Sequence, residues 1–118
     1  MASNKQTGNF GETLACEFLK KQGYKILERN FRIRGGEIDI IAKDKDTLVF
    51  IEVKTRYTKE YGDPLESITP WKIRFLIRCA KFYCLKTKQI DLPMRIDAVS
   101  VDLSDGEKLE LIKNIAYE

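Results

Sequence analysis

Residues 37–56, EIDIIAKDKDTLVFIEVKTR, constrain the fold more than any other stretch of the chain. Apolar residues dominate on both sides of the charged Lys45-Asp46, the pattern of two strands joined by a tight turn. With Lys45-Asp46 as a two-residue hairpin loop, residues facing one another have numbers that sum to 91. Ile40 then meets Ile51, Ile38 meets Val53, and Asp39 falls directly opposite Glu52. Leu48, Phe50, Glu52 and Lys54 share one face of the second strand, because successive side chains point to opposite sides. On the first strand, Ile38, Ile40 and Ala42 form an apolar face, with Glu37, Asp39, Ile41 and Lys43 on the other. Two facing carboxylates repel at about 5 Å between their Cβ atoms, so this pairing needs something positive beside it.

The rest of the chain builds outward from this hairpin. Asn9–Lys21 carries Phe10, Leu14, Ala15, Phe18 and Leu19 at helical spacing, with Gly23 just beyond as a stop. Tyr24–Arg32 reads as a strand that turns through Gly35-Gly36 into Glu37–Lys43; Leu48–Arg56 completes an antiparallel meander. Gly35-Gly36 is turn chemistry and not a phosphate loop, since a strand follows it. Tyr57–Ile68 is a loop containing Gly62-Asp63-Pro64. Thr69-Pro70 then provides a helix cap with proline in the first helical position. Ile73, Leu76, Ile77, Ala80, Tyr83 and Cys84 mark a buried stripe on a helix running to about Lys86. Arg95–Val101 and Leu109–Ile115 are the last two strands, separated by Ser104-Asp105-Gly106. The order is α-β-β-β-α-β-β. A helix between the third and fourth strands allows them to lie parallel through a right-handed crossover, giving a mixed sheet flanked by helices.

Composition narrows the chemistry. A length of 118 residues fits one domain, 1–118, and 43% hydrophobic with 33% charged residues is the balance of a globular chain. The longest apolar runs, Leu48–Ile51 and Phe82–Leu85, are far below the roughly 20 residues of a membrane span. Met1–Gly8 has no apolar signal core, and Cys16, Cys79 and Cys84 form no CxxC pair, so a cytoplasmic location with reduced thiols is expected. There is no histidine, which excludes histidine triads and the usual zinc sites. The net charge is +3, yet Ser67–Ile90 holds six basic residues and no acid, which leaves −3 elsewhere. Lys72, Arg74, Arg78 and Lys81 on this helix, with Lys86 and Lys88 at its end, suit an anionic partner or form an ordinary solvated face.

A divalent cation answers the repulsion between Asp39 and Glu52 better than Lys54 alone. Mg²⁺ or Mn²⁺ takes one or two carboxylates and leaves other positions to water and a phosphate. Lys54, two residues from Glu52, could hold a phosphate oxygen, a combination suited to metal-assisted phosphodiester hydrolysis. The competing reading is a solvent-facing sheet surface with Glu37–Lys54 and Glu52–Lys54 ion pairs.

Asp39 followed by Glu52-Val53-Lys54 on the next strand, within this element order, resembles the PD-(D/E)XK nuclease superfamily. The blocks GNFGETLACEFLKKQGYKILERNFR, GGEIDIIAKD, LVFIEVKTR, YGDPLESITPWK and RIDAVSVD more closely resemble the YraN-like family of small bacterial proteins. That family is itself similar to archaeal-type Holliday-junction resolvases. The resemblance runs from Gly8 to about Asp102 and departs only in Ile38, where the superfamily name has proline. It implies a restriction-endonuclease-like three-layer α/β fold and Mg²⁺- or Mn²⁺-dependent cleavage of DNA, duplex or branched. It implies metal-binding roles for Asp39 and Glu52, the Val53 carbonyl as a further ligand, and Lys54 as the catalytic lysine. Glu12 matches an acid that the superfamily often brings near the metal; the alternative is an acid favoured by a helix N-terminus. Arg56 and Lys72 fall on family blocks and are candidate phosphate contacts.

Asp97 is expected to be structural, paired with Arg95 or with a base on a neighbouring strand. Trp71 is expected to be a core or helix-entry residue and not a base-stacking platform. The main alternative function is a nucleic-acid-binding protein with a nuclease fold and little catalysis of its own. A protein adaptor using the basic helix is a third. A homodimer, and DNA against RNA as the substrate, remain open at the level of sequence.

Overall fold

The computed structural model describes residues 4–58 and 64–116; Gly62-Asp63 of the expected loop lies outside them. The elements are α1 (Asn4–Lys21), β1 (Lys25–Ile33), β2 (Gly36–Asp44), β3 (Thr47–Arg56), α2 (Pro70–Lys86), β4 (Met94–Asp102) and β5 (Lys108–Ile112), with a short 3-10 turn at Pro64–Ser67. The strands form one sheet in the order β1-β2-β3-β4-β5. All neighbours are antiparallel except β3 and β4, which run parallel across the α2 crossover. With a helix on each face, this is the three-layer restriction-endonuclease-like α/β fold that the sequence implied.

Each face of the sheet has its own core. Under α2 lie Ile41, Leu48, Phe50 and Ile96 with Leu76, Cys79, Ala80 and Tyr83. Under α1 lie Ile40, Ala42, Val49, Ile51, Val99 and Val101 with Ala15 and Leu19. Thr69 caps α2, its hydroxyl accepting from the Lys72 N–H at 3.1 Å, and Pro70 occupies the first turn. The buried stripe of α2 is rotated from expectation. Phe75 and Cys79 are buried while Ile73 and Ile77 are half-exposed, so Lys72 joins the inward-facing side. Helix α1 begins at Asn4, five residues earlier than the apolar spacing indicated, and Phe10 is exposed.

The β2–β3 hairpin has the expected two-residue loop, with Lys45 at φ 57°, and pairs Asp44 with Thr47 through Ile40 with Ile51. The ladder ends there, one pair short of Asp39 and Glu52. On the other side, β1 pairs Arg29 with Ile40 and Phe31 with Ile38, leaving Asn30 and Asp39 between them outside the pairing. Asn30 takes a left-handed φ of 52°, and a bulge precedes it near Leu27. Residues two apart on a regular strand share a face. Here Ile38 packs under α2 and Ile40 under α1, so β2 turns over at Asp39. This corrects the expected Ile38, Ile40, Ala42 face and the pairing of Ile38 with Val53.

Candidate metal centre

The break in the sheet is where the acids meet. With the β2–β3 ladder finished, the Val53 N–H donates to Asp39 Oδ2 at 2.8 Å. N–H and C=O of one strand residue point to the same side, so the Val53 carbonyl also turns toward the opening. Burial, then the adjoining Glu52 carboxyl as a hydrogen-bonding group and as a charge, push Asp39 up to about 9, against the pull of the Val53 N–H.

Glu12 reaches the same place from α1. Carboxylate oxygens of Glu12, Glu37 and Asp39 lie within 4.8 Å of one another. Gly11 permits this approach: a Cβ there would stand 3.1 Å from Thr55 Cβ on β3, so only glycine lets α1 lie this close. Glu12 sits in the middle of α1 and not in its first turn, so the helix N-terminus does not account for it. Burial raises its carboxyl above the ordinary value, opposed by a hydrogen bond with Asn30 and by Arg29, and reinforced by Glu37 and Glu52. Arg29 Nη2 stays 4.0 Å away, and Glu12 Oε1 is buried without a hydrogen-bond partner. A buried carboxylate oxygen without a donor is costly. Hard oxygen donors around one point, with too few protons and cations to satisfy them, fit a divalent cation of the Mg²⁺ or Mn²⁺ type.

The structure therefore brings together Asp39, Glu52, Val53 and Glu12 as the sequence suggested, and adds Glu37. Glu37 stands two residues from Asp39, and that spacing was its signal; pairing it with Lys54 hid its place beside the other acids. Its ion pair is instead with Arg32, at 3.5 Å. Glu52 is almost fully buried and holds Lys72 Nζ at 3.4 Å, so Lys72 belongs to the acid cluster and not to the outer face of α2. Lys54 is half-buried beside Ser100 of β4 and forms no ion pair among the described residues. Arg74, Arg78 and Lys81 are exposed and fall on one side of α2. Arg56 is held by Asp102, with Nη2 to Oδ2 at 2.8 Å. Trp71 stands at the entry to α2 but is not core: it is 60% exposed.

The fold and this cluster define a small α/β protein with an acidic, metal-competent centre at a sheet opening, and no helix of the described residues is long and apolar enough to cross a membrane. The chain belongs to the uncharacterised protein family UPF0102, the YraN family, whose model matches residues 11–101. It is 53% identical to a UPF0102 protein of Dehalococcoides mccartyi over all of this chain and 99% of that one. A UPF0102 protein of Geobacter metallireducens is 48% identical over 86% of this chain and 83% of its own, and one of Syntrophus aciditrophicus 46% identical over 100% and 93%. The matched span includes Glu12, Glu37, Asp39, Glu52 and Lys54.

Proposed function

We propose that this protein is a metal-dependent endonuclease that hydrolyses phosphodiester bonds in DNA, with structured or branched DNA as its substrate. The observation that carries the reading is the convergence of Glu12, Glu37 and Asp39 within 4.8 Å, with Glu12 Oε1 buried and without a hydrogen-bond donor. Asp39, Glu37 and Glu12 would hold the cation with Glu52, and the Val53 carbonyl is a further donor. A bound Mg²⁺ or Mn²⁺ supplies Lewis-acid polarisation of a phosphoryl oxygen. Lys54, free of an acidic partner among the described residues, places its ammonium where charge develops on the phosphate, and such preorganised charge lowers the barrier to attack. Arg74, Arg78 and Lys81 hold the backbone on either side, a contact that reads charge and shape and not sequence.

The deciding experiment is cleavage of duplex, flap and four-way-junction DNA with Mg²⁺ or Mn²⁺ against an EDTA control. The reading requires metal-dependent cleavage that Asp39→Asn removes. A protein that binds these substrates, with a salt dependence that flattens by about 0.9 in log–log slope for each of Arg74, Arg78 and Lys81 replaced by Gln, yet cuts none of them, is the binding protein of the alternative reading. The Lys72–Glu52 ion pair favours that alternative, because it already neutralises one of the acids.

A further inference from the structure

The turn between β1 and β2 and one flank of α2 enclose a groove of about 550 Å³ that the acid cluster does not use. Trp71, Phe75, Arg78, Phe82 and Lys86 line it from α2 at spacings of three and four residues, one continuous helix face. Arg32 and Arg34 line it from the turn. Gly36 lets that turn close on the helix, since a Cβ there would stand 2.7 Å from Phe75 Cζ. Trp71 is stacked on Phe75, with ring centroids 5.9 Å apart and planes 12° from parallel. One indole face is thus covered, and a 60% exposed side chain leaves the other to solvent. Phe82, 50% exposed, lies three helical turns along. Among the described residues no acid lines the groove, and four guanidinium or ammonium groups ring it.

We propose that this groove is a binding site for an unpaired nucleobase, stacked on the open face of Trp71 with Arg34, Arg78 and Lys86 on the adjoining phosphates. Flat aromatic surface inside a basic rim is what single-stranded nucleic acid requires. Stacking is indifferent to base identity and the cations follow the backbone. A duplex keeps its bases stacked on one another and cannot offer a free face to the indole. A polyanion without bases satisfies the cations alone. The groove adjoins the acid cluster through Phe75, over whose ring Lys72 Nζ sits at 5.2 Å while pairing with Glu52. The inference deepens the nucleic-acid reading above by naming substrates with unpaired nucleotides, such as flaps and open junctions, as those best held.

Trp71 is the chain's only tryptophan, so its emission reports directly on this site. Titration is made in EDTA, where cleavage plays no part, with four probes: an oligothymidylate of about 12 nucleotides, within the footprint of one small domain, its blunt duplex, heparin, and polyglutamate. The oligothymidylate is expected to quench Trp71, and the duplex and heparin to leave its emission nearly unchanged. By anisotropy of a labelled strand, Trp71→Ala is expected to weaken single-strand binding by about 5- to 150-fold, with Trp71→Phe restoring most of it and heparin affinity unaltered. Phe82→Ala is the second variant, expected to weaken the same probe. Emission unchanged at saturating oligothymidylate, equal quenching by heparin, or tighter binding of polyglutamate than of the strand would each overturn the proposal, the last in favour of an acidic protein partner. Assaying cleavage of the same substrates by the wild-type protein with Mg²⁺ or Mn²⁺ separates the two readings. Quenching by a wild type that cuts none of the substrates upholds the groove and rejects the nuclease, and metal-dependent cleavage without quenching does the reverse.

Discussion

Two acids on interior strands, Asp97 of β4 and Asp39 of β2, receive opposite treatment. Asp97 is fully buried, and every lone pair it turns inward has a donor. Arg95 Nε and the Asn114 N–H donate to Oδ1 at 2.8 and 2.9 Å; the Tyr24 hydroxyl and Arg95 Nη2 donate to Oδ2 at 2.8 and 3.0 Å. Arg95 also reaches Asp44 at 2.9 Å, closing a network with as much positive as negative charge close by. Asp39 has one backbone donor and is otherwise met by further acids, Glu12, Glu37 and Glu52. Buried charge that is paired holds a fold together, whereas buried charge of one sign is tolerated where a ligand completes it. The first arrangement is complete in the protein alone; the second is not.

The largest effect expected from this contrast is on stability. Asp97→Ala leaves Arg95 and Tyr24 facing an empty position and is expected to cost about 3–5 kcal/mol, the loss typical of breaking a buried ion pair from one side. Asp39→Asn replaces a carboxyl crowded by other acids with a neutral amide and is expected to leave the urea midpoint unchanged or raised. Equal losses in the two variants would end the distinction between them.

Next in size is Lys54. If the proposed role is right, Lys54→Ala slows single-turnover cleavage by about 10²–10³-fold, the range for loss of one preorganised charge or donor at a reacting centre. Its melting should change by no more than about 1 kcal/mol, since no ion pair among the described residues is broken. Full-rate cleavage by this variant removes Lys54 from the mechanism and weakens the case for the opening as a catalytic site.

How much of this was legible before the structure depends on which rule each residue obeys. The β2–β3 register was legible because a short loop and two matching apolar faces admit a single pairing, and Ile40 does face Ile51. Arg95 and Asp97, two apart on one strand, announced their own pairing. What failed was the assumption that alternation continues through Asp39. The left-handed Asn30 and the bulge before it break the pattern, and neither has a signature that distinguishes it from an ordinary polar strand residue. The same local break is what gathers Glu12, Glu37 and Asp39, so the geometry of the cluster was the least visible part of it. On α2, Ile73 and Phe75 are equally apolar, and choosing Ile73 turned the stripe away from Lys72. The exposed face of Trp71 followed from the same ambiguity, as an aromatic residue at a helix start is as readily core as surface.

Metal should sharpen the comparison at an intermediate scale. A cation that binds only the folded protein stabilises it by about 2.7 kcal/mol at one hundred times its dissociation constant. Mn²⁺ is expected to raise the urea midpoint of the wild type accordingly, and to lose that effect in Asp39→Asn. Asp44→Asn, at the paired end of the sheet, should respond to Mn²⁺ as the wild type does. A response lost in both variants would mean that the ion is not held at the opening.

The smallest effect is a slope with pH. Asp39 faces Glu52 on β3, Glu12 on α1 and Glu37 on its own strand, with Lys72 of α2 and Arg29 of β1 the nearby cations. Its value rises from 3.8 unfolded to about 9 folded, chiefly through burial, so between those limits the folded state keeps a proton that the unfolded chain has released. Stability from this group is therefore complete below the unfolded value and declines as pH rises toward 9. Glu12, also raised by burial, acts in the same direction. Asp44 does the opposite: Arg95 lowers it, so its contribution is present above 3.8 and lost only on acidification below that value. Between about pH 5 and 7.5 a single proton gives at most about 1.4 kcal/mol per pH unit. Without metal, the urea midpoint is expected to fall gently across this range, and to flatten in Asp39→Asn. Saturating Mn²⁺ should reverse the sign, because the ion needs the carboxylates ionised and competes better as protons become scarce. A midpoint that falls equally with and without Mn²⁺ would mean that proton and metal do not share a site, and the acids at the opening would then need another explanation.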